Sequence, residues 1–357
     1  MSDTLHRKRF ELCMKHRESD KVPSDLWIDS SDGELKEQLI RYAGAQSYEE
    51  LLDILDVDIY HFKPPVARKE AYTDGTLSQF FLPVIDEKYL SFSADGISRP
   101  LVDVEEPEEL NQFQWPKSDL LDYSAIESII NTHGDRVLWA QAGTWSPIFC
   151  KLCDLCGMEK VLVDMIVNPE LIDAMVSRVL DFYRETFRKT LEAGRGRIDV
   201  FGFGDDIASQ QGLMFSKELW KRYFMQPMKE LCELIKSYGA YVAFHSCGAI
   251  SDIIPELIEM GVDILFPIQP RAKGMEPERL KEAFGNRVVF YGGIDVQQVL
   301  PFGTEQEVRD EVAQVSGILG AGGGYILASS HGILRDVPME NVMAMYSELN
   351  RLAGERK

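Results

Sequence analysis

The chain has 357 residues, 45% hydrophobic and 27% charged, the profile of a globular protein with a sizeable core and not of a disordered or fibrous one. Its formal net charge of -20 sets up a field that repels nucleic acid and anionic lipid, so neither a nucleic acid nor a membrane surface is expected as a partner. No apolar run reaches membrane-span length, the N-terminus lacks an apolar leader core, and the six cysteines belong to a long chain without a secretory signal; a cytoplasmic location is expected, with thiols used for packing, catalysis or metal binding.

An N-terminal helical segment over residues 1 to 20 precedes PSDLWID (23 to 29), the first expected strand. A helical segment from Glu34 to Leu55 leads to a second strand, DVDIYHF (56 to 62). From about 68 to 104 the rhythm changes to period-two stretches punctuated by Asp74-Gly75 and Asp95-Gly96, which read as β-hairpins inserted near the mouth of the fold. Six more strands follow: RVLWAQA (136 to 142), IDVFGFG (198 to 204), AYVAFH (240 to 245), VDILFPI (262 to 268), RVVFYGG (287 to 293) and YILAS (325 to 329). Helical segments follow them, among them Met158 to Ile166, Ser216 to Ser237, Ile250 to Glu259, Pro277 to Phe284 and Glu305 to Leu319. Eight βα units over this length predict an α/β fold of the (β/α)8 TIM-barrel type, a single domain spanning 1–357.

In such a barrel every strand's C-terminal end opens on the same mouth. Those ends carry Trp27 to Asp29, His61, Thr144 and Trp145, Asp205 and Asp206, His245 to Cys247, Gln269, Asp295 and His331. His245-Ser246-Cys247-Gly248 is the sharpest local feature. Imidazole nitrogen and thiolate sulfur suit Zn2+, Gly248 permits a tight turn, and a third ligand from another strand would leave one position open for substrate. The competing reading is a buried strand-end histidine beside a small apolar cysteine.

Cys150, Cys153 and Cys156 are spaced like part of an iron–sulfur run but lack the fourth cysteine. Residues three apart share a helix face, so they read as packing residues. Asp205 and Asp206 follow a strand containing Gly202 and Gly204, glycines that allow close approach. Adjacent residues cannot both point into one pocket, so one Asp is expected in the site and the other in a structural role. Gly320 to Gly324 precedes a strand and opens no helix, which reads as an exposed turn and not a phosphate cradle.

Taken in order, FGDDIASQQGLMFSKELWKRYFMQPMKEL, FHSCG, GVDILFPIQP, FYGGIDVQQVLPFGTEQEV and GGGYILASSHGILRDVPMENV resemble the uroporphyrinogen decarboxylase superfamily. That superfamily also contains zinc-dependent corrinoid methyltransferases on the same barrel, and the resemblance extends over nearly the whole chain. In the methyltransferases the zinc ligands are an H-x-C pair and a later cysteine. His245 and Cys247 match the pair, and His331 stands at the later position, which makes His245, Cys247 and His331 the metal ligands the resemblance implies. Two imidazoles and one thiolate would leave the ion near +1, a stronger Lewis acid than a two-thiolate site. The decarboxylases also carry a glycine-flanked histidine at the last position, but their arginine-containing R-Q-A-G-R type segment has no counterpart in VPSDLWIDSSDGELKEQL.

The expected function is therefore transfer of a methyl group between a small methylated molecule or thiol and a corrinoid carried by a partner protein, at a zinc-activated site. Asp205, Asp206 and His331 are candidate catalytic groups, and Trp27, His61, Trp145, Gln269 and Asp295 would shape the substrate pocket. The rival readings are a decarboxylase of a small or tetrapyrrole acid with His331 as proton donor, and a non-catalytic barrel that binds a corrinoid or tetrapyrrole.

Overall fold

The computed structural model describes residues 4–28, 33–64, 99–141 and 147–355. Within them seven strands form one parallel sheet in sequential order: β1 (Ile59–Phe62), β2 (Val137–Gln141), β3 (Val200–Gly204), β4 (Tyr241–His245), β5 (Ile264–Ile268), β6 (Val289–Ile294) and β7 (Tyr325–Ser329). Helices cover the outside of the sheet, giving the α/β, TIM-barrel architecture expected of this alternation.

The eighth stave differs from expectation. Residues 23–28 form no continuous strand but meet the C-terminal part of the barrel through two isolated parallel bridges, Ser24 with Leu327 and Ile28 with Ile333. The Asp25 amide donates to the Leu327 carbonyl at 3.0 Å, and the Ile333 amide donates to Trp27 at 2.8 Å. The chain turns between Ser329 and Ile333, so the ladder is interrupted where the mouth is built. On the other side the Asp58 amide donates to the Ser24 carbonyl at 3.0 Å.

Alternation within each strand sorts side chains into two layers. Ile59, Val137, Trp139, Val200, Ala243, Ile264, Phe266, Val289, Tyr291, Ile326 and Ala328 fill the barrel interior. Leu138, Phe201, Phe203, Val242, Phe244, Leu265 and Phe290 face the helices. Burying each such side chain contributes roughly 1.5–3 kcal/mol, and burial on both faces explains the near-continuous apolar runs that mark the strands in sequence.

The N-terminal helix Leu5–Met14 closes the end of the barrel opposite the mouth, placing Phe10 and Cys13 against the interior layer. Beside it Arg9 is paired with Asp20, Asp56 and Asp58, and Lys21 with Asp56 and Asp58. His6, Asp56 and Asp58 lie close enough together to suggest metal ligands. Arg9 and Lys21 already neutralise these acids, so the group works as a structural ion network. A surface cleft of about 660 Å³ lined by Arg7, Asp135, Arg195 and Arg197 also lies at this end, away from the strand ends that carry the candidate residues.

Several expectations are refined. The helical stretch 34 to 55 is two helices, Gly33–Tyr42 and Tyr48–Ile54, separated at Gly44, whose φ is 71°. The turn at Gly320 to Gly324 is only partly exposed, because Gly323 and Gly324 are buried and a Cβ on Gly323 would stand 2.4 Å from the Arg17 backbone nitrogen. The hairpin insert expected at 68 to 104 lies almost wholly outside the described residues, as do Asp29, Thr144 and Trp145. No helix among the described residues is long and apolar enough to cross a membrane.

Candidate active site and metal centre

β3 and β4 run in register with Gly204 opposite His245. They approach so closely that a Cβ on Gly204 would lie 2.0 Å from the His245 carbonyl oxygen, and one on Gly202 would lie 2.5 Å from the Trp139 indole nitrogen. The two glycines thus admit a neighbouring backbone and a core ring. Past β4, Gly248 adopts φ 86° with Ser209 packed against its α-carbon, which turns the chain sharply and leaves Cys247 at the mouth.

The adjacent acids after β3 divide as alternation requires. Asp205 is fully buried, and its carboxylate accepts the amides of Ile148 (3.3 Å), Phe149 (2.7 Å) and Cys150 (2.8 Å) at the start of the helix Phe149–Cys156. Burial pushes its carboxyl up to about 7, while the amides of Cys150 and Phe149 pull the other way. Asp205 therefore caps this helix, which leaves Asp206 as the acid of the pair that faces the mouth. The same helix holds Cys150, Cys153 and Cys156 in packing roles, with Cys156 Sγ 3.5 Å from Met175 Sδ.

Asp206 turns toward the mouth. Its Oδ1 lies 3.3 Å from His245 Nε2 and accepts the Cys247 amide at 2.8 Å. Cys247 Sγ lies 3.6 Å from the same His245 nitrogen. One ligand atom from each of Asp206, His245 and Cys247 lies within 4.8 Å of the other two. A tetrahedral ion with bonds of about 2.0–2.3 Å to nitrogen, oxygen and sulfur separates its ligands by roughly 3.3–3.6 Å along each edge. The two contacts at His245 match those edges, and the carboxylate–imidazole–thiolate donor set suits a borderline ion with one position left for substrate. Without a cation, burial depresses the His245 imidazole, and burial together with Asp206 raises the Cys247 thiol. A bound dication would reverse the second effect by stabilising the thiolate.

His331, expected as a ligand, is not in this group. Its ring packs on Trp27 at 5.3 Å between centroids, and its Nδ1 donates to the Gly332 carbonyl at 3.3 Å. Trp27 also meets His245 edge-on at 5.8 Å, so one half-buried indole touches both imidazoles. Gln269 is buried in the mouth wall. Its Oε1 accepts Gln210 Nε2 (2.8 Å) and the Gly248 amide (2.9 Å), and its Nε2 donates to Ser330 O (3.3 Å), so it ties three mouth loops together. Asp295 is paired with Arg271 and accepts the Gln297 amide at 2.8 Å. His61 contacts the Asp25 carboxylate, which also accepts the Tyr291 hydroxyl. Asp25 and Tyr291 escaped sequence reasoning. The available signal was alternation, which places Asp25 on the same side of its stave as Trp27.

The chain is 26% identical over 195 residues to a uroporphyrinogen decarboxylase from Sulfurimonas denitrificans, covering 53% of this chain and 51% of that protein. It is 23% identical over 179 residues to one from a Nitratiruptor species, covering 49% and 47% respectively. The matched segment thus spans about half the length of these relatives. Among solved structures, a methyltransferase from Methanosarcina mazei superposes with a TM-score of 0.66 at 18% identity, over 98% of this chain and 99% of that one, which shows a shared fold. The family model for uroporphyrinogen decarboxylase (URO-D) matches residues 97–352, most of the chain, and on that match the protein belongs to the uroporphyrinogen decarboxylase family.

Proposed function

We propose that the protein is a metal-dependent methyltransferase of this family, moving a methyl group between a small methylated molecule or thiol and a corrinoid carried by a separate protein. The observation that carries this reading is the group formed by Asp206, His245 and Cys247 at the mouth, with 3.3 Å and 3.6 Å separations at His245 that suit a tetrahedral Zn2+. Such an ion would supply Lewis acidity to a thiol or ether oxygen at its open position.

The chain's own residues would do the rest. Asp206 holds the Cys247 backbone through its amide and so sets the sulfur's position. Trp27 offers an apolar face between the two imidazoles, and Gln269 keeps the surrounding loops in place. His331, with Nδ1 hydrogen engaged by Gly332, presents Nε2 as a proton acceptor in its neutral form. A polycarboxylate substrate fits less well: Arg271, in the loop after β5, is already paired with Asp295.

The reading is tested by following methylcobalamin demethylation by 2-mercaptoethanol in visible absorbance, with the zinc-loaded protein and after chelation. Zinc-dependent conversion that falls to background in Cys247→Ala supports it. Equal rates with and without zinc, or uroporphyrinogen decarboxylation by the chelated protein, would overturn it in favour of metal-free chemistry.

A further inference from the structure

Three strands around the barrel from His245, β1 delivers a second polar group to the mouth. His61, near the end of β1, is 23% exposed at its side chain, and its Nε2 contacts the Asp25 carboxylate. Its Nδ1 lies 3.5 Å from Gln141 Nε2 at the end of β2. Asp25 is 1% exposed, and its position is set by backbone bonds: its amide donates to Leu327 at 3.0 Å and its carbonyl accepts the Tyr346 hydroxyl at 2.6 Å. A carboxylate only accepts hydrogen bonds, and the Tyr291 hydroxyl already donates to the same oxygen. His61 must therefore carry its hydrogen on Nε2 and its lone pair on Nδ1, pointing at the Gln141 amide. An aromatic set joins the two polar groups: Trp139 packs on His61 at 5.0 Å, Tyr291 on Trp139 at 5.5 Å, and Trp27 on Tyr291 at 6.3 Å.

We propose that His61 is a second, substrate-contacting general base of this mouth, with Asp25 as its positioning residue, and that it takes the hydroxyl or thiol proton of an uncharged small molecule lying against Trp27. In that step the O–H or S–H bond of the substrate breaks, the proton joins Nδ1 of His61, and the electron pair stays on the substrate's oxygen or sulfur. The imidazolium so formed keeps its Nε2–H directed at the carboxylate of Asp25, an acceptor already in place. A ligand carboxylate would be set against that same carboxylate, which is why the expected class is uncharged. The inference shares the mouth with the proposed metal group but depends on neither the metal nor methyl transfer.

The test uses the full chain labelled with 15N-histidine, observed by long-range proton–nitrogen spectra while phenol is added, with benzoate as the charged counterpart. The expected result is the Nε2–H tautomer for His61 and a phenol-dependent shift of its Nδ1 signal that benzoate does not produce. Asp25→Asn should convert His61 to the Nδ1–H tautomer, because the new amide donates where the carboxylate accepted. Phenol affinity should fall about tenfold or more in His61→Ala, the worth of one good hydrogen bond. An Nδ1–H tautomer in the wild type, or equal phenol affinity in wild type and His61→Ala, would overturn the proposal. If Asp25→Asn does not fold, the wild-type tautomer and the volume-preserving His61→Gln variant carry the same decision. Failure of methylcobalamin demethylation leaves both readouts intact, so the two proposals fail separately.

Discussion

Gly204 and His245 face each other across β3 and β4 with no room for even a methyl group between them, since a Cβ on Gly204 would stand 2.0 Å from the His245 carbonyl oxygen. Gly204→Ala should therefore push the end of β4 away. Overpacking of this kind costs roughly 1–3 kcal/mol, and it displaces His245 and Cys247 together. Denaturant unfolding and metal content measured on the same variant should both fall. A variant of full stability and unchanged metal content would show that the strands separate freely.

Asp205 and Asp206 should separate cleanly in mutagenesis. Asp205→Ala removes the acceptor of three amides at the start of a buried helix and should destabilise by about 1–2 kcal/mol or more. Asp206→Ala, at a half-open mouth, should leave the midpoint of thermal unfolding within a few degrees of wild type while abolishing activity. Similar melting for both variants would contradict the division of roles.

Glu311 predicts a pH dependence. Burial pushes its carboxyl up to about 7, and the charge of Asp295 adds to the effect while the Asp295 amide opposes it. Its folded value lies above the unfolded one of about 4.3, so between those values the native state binds more protons than the unfolded chain. The stabilisation is complete below about pH 4 and is lost as pH rises through about 7. Across that window the loss is on the order of 3–4 kcal/mol. Glu311→Gln should flatten this part of the stability–pH curve, which urea titrations at successive pH values would show. An unchanged slope would contradict the assignment.

Replacing His331 distinguishes two roles for its imidazole. Because Asp206, and not His331, completes the group around His245 and Cys247, His331→Ala should retain the metal and lose activity by about 10²–10⁴-fold if it transfers a proton. His331→Cys should behave alike. Loss of zinc in the Ala variant together with its retention in the Cys variant would restore His331 as a ligand.

Much of this arrangement was legible because strand ends of a barrel converge whatever their separation in sequence. His245, Cys247 and Asp206 come from a contiguous run of apolar strands whose borders end in polar residues, and alternation alone required Asp205 and Asp206 to part. Which of them faces the mouth was not legible, because it depends on the helix Phe149–Cys156 arriving to be capped. His331 lies apart from the Asp206, His245 and Cys247 group because its ring packs on Trp27, a contact between residues about 300 positions apart that no local pattern records. The break in the first stave likewise follows from its partner turning away after Ser329, which a local pattern does not record.

Whether Asp206, His245 and Cys247 together hold one metal ion is measured most directly by elemental analysis of protein purified without added metal or chelator. Wild-type protein should carry close to one zinc per chain. That zinc should be lost in His245→Ala, Cys247→Ala and Asp206→Ala, each still folded, since a site at the mouth contributes less to stability than the packed barrel. Metal content equal in wild type and all three variants, or zinc absent from a wild-type protein that nonetheless turns over substrate, would contradict this assignment.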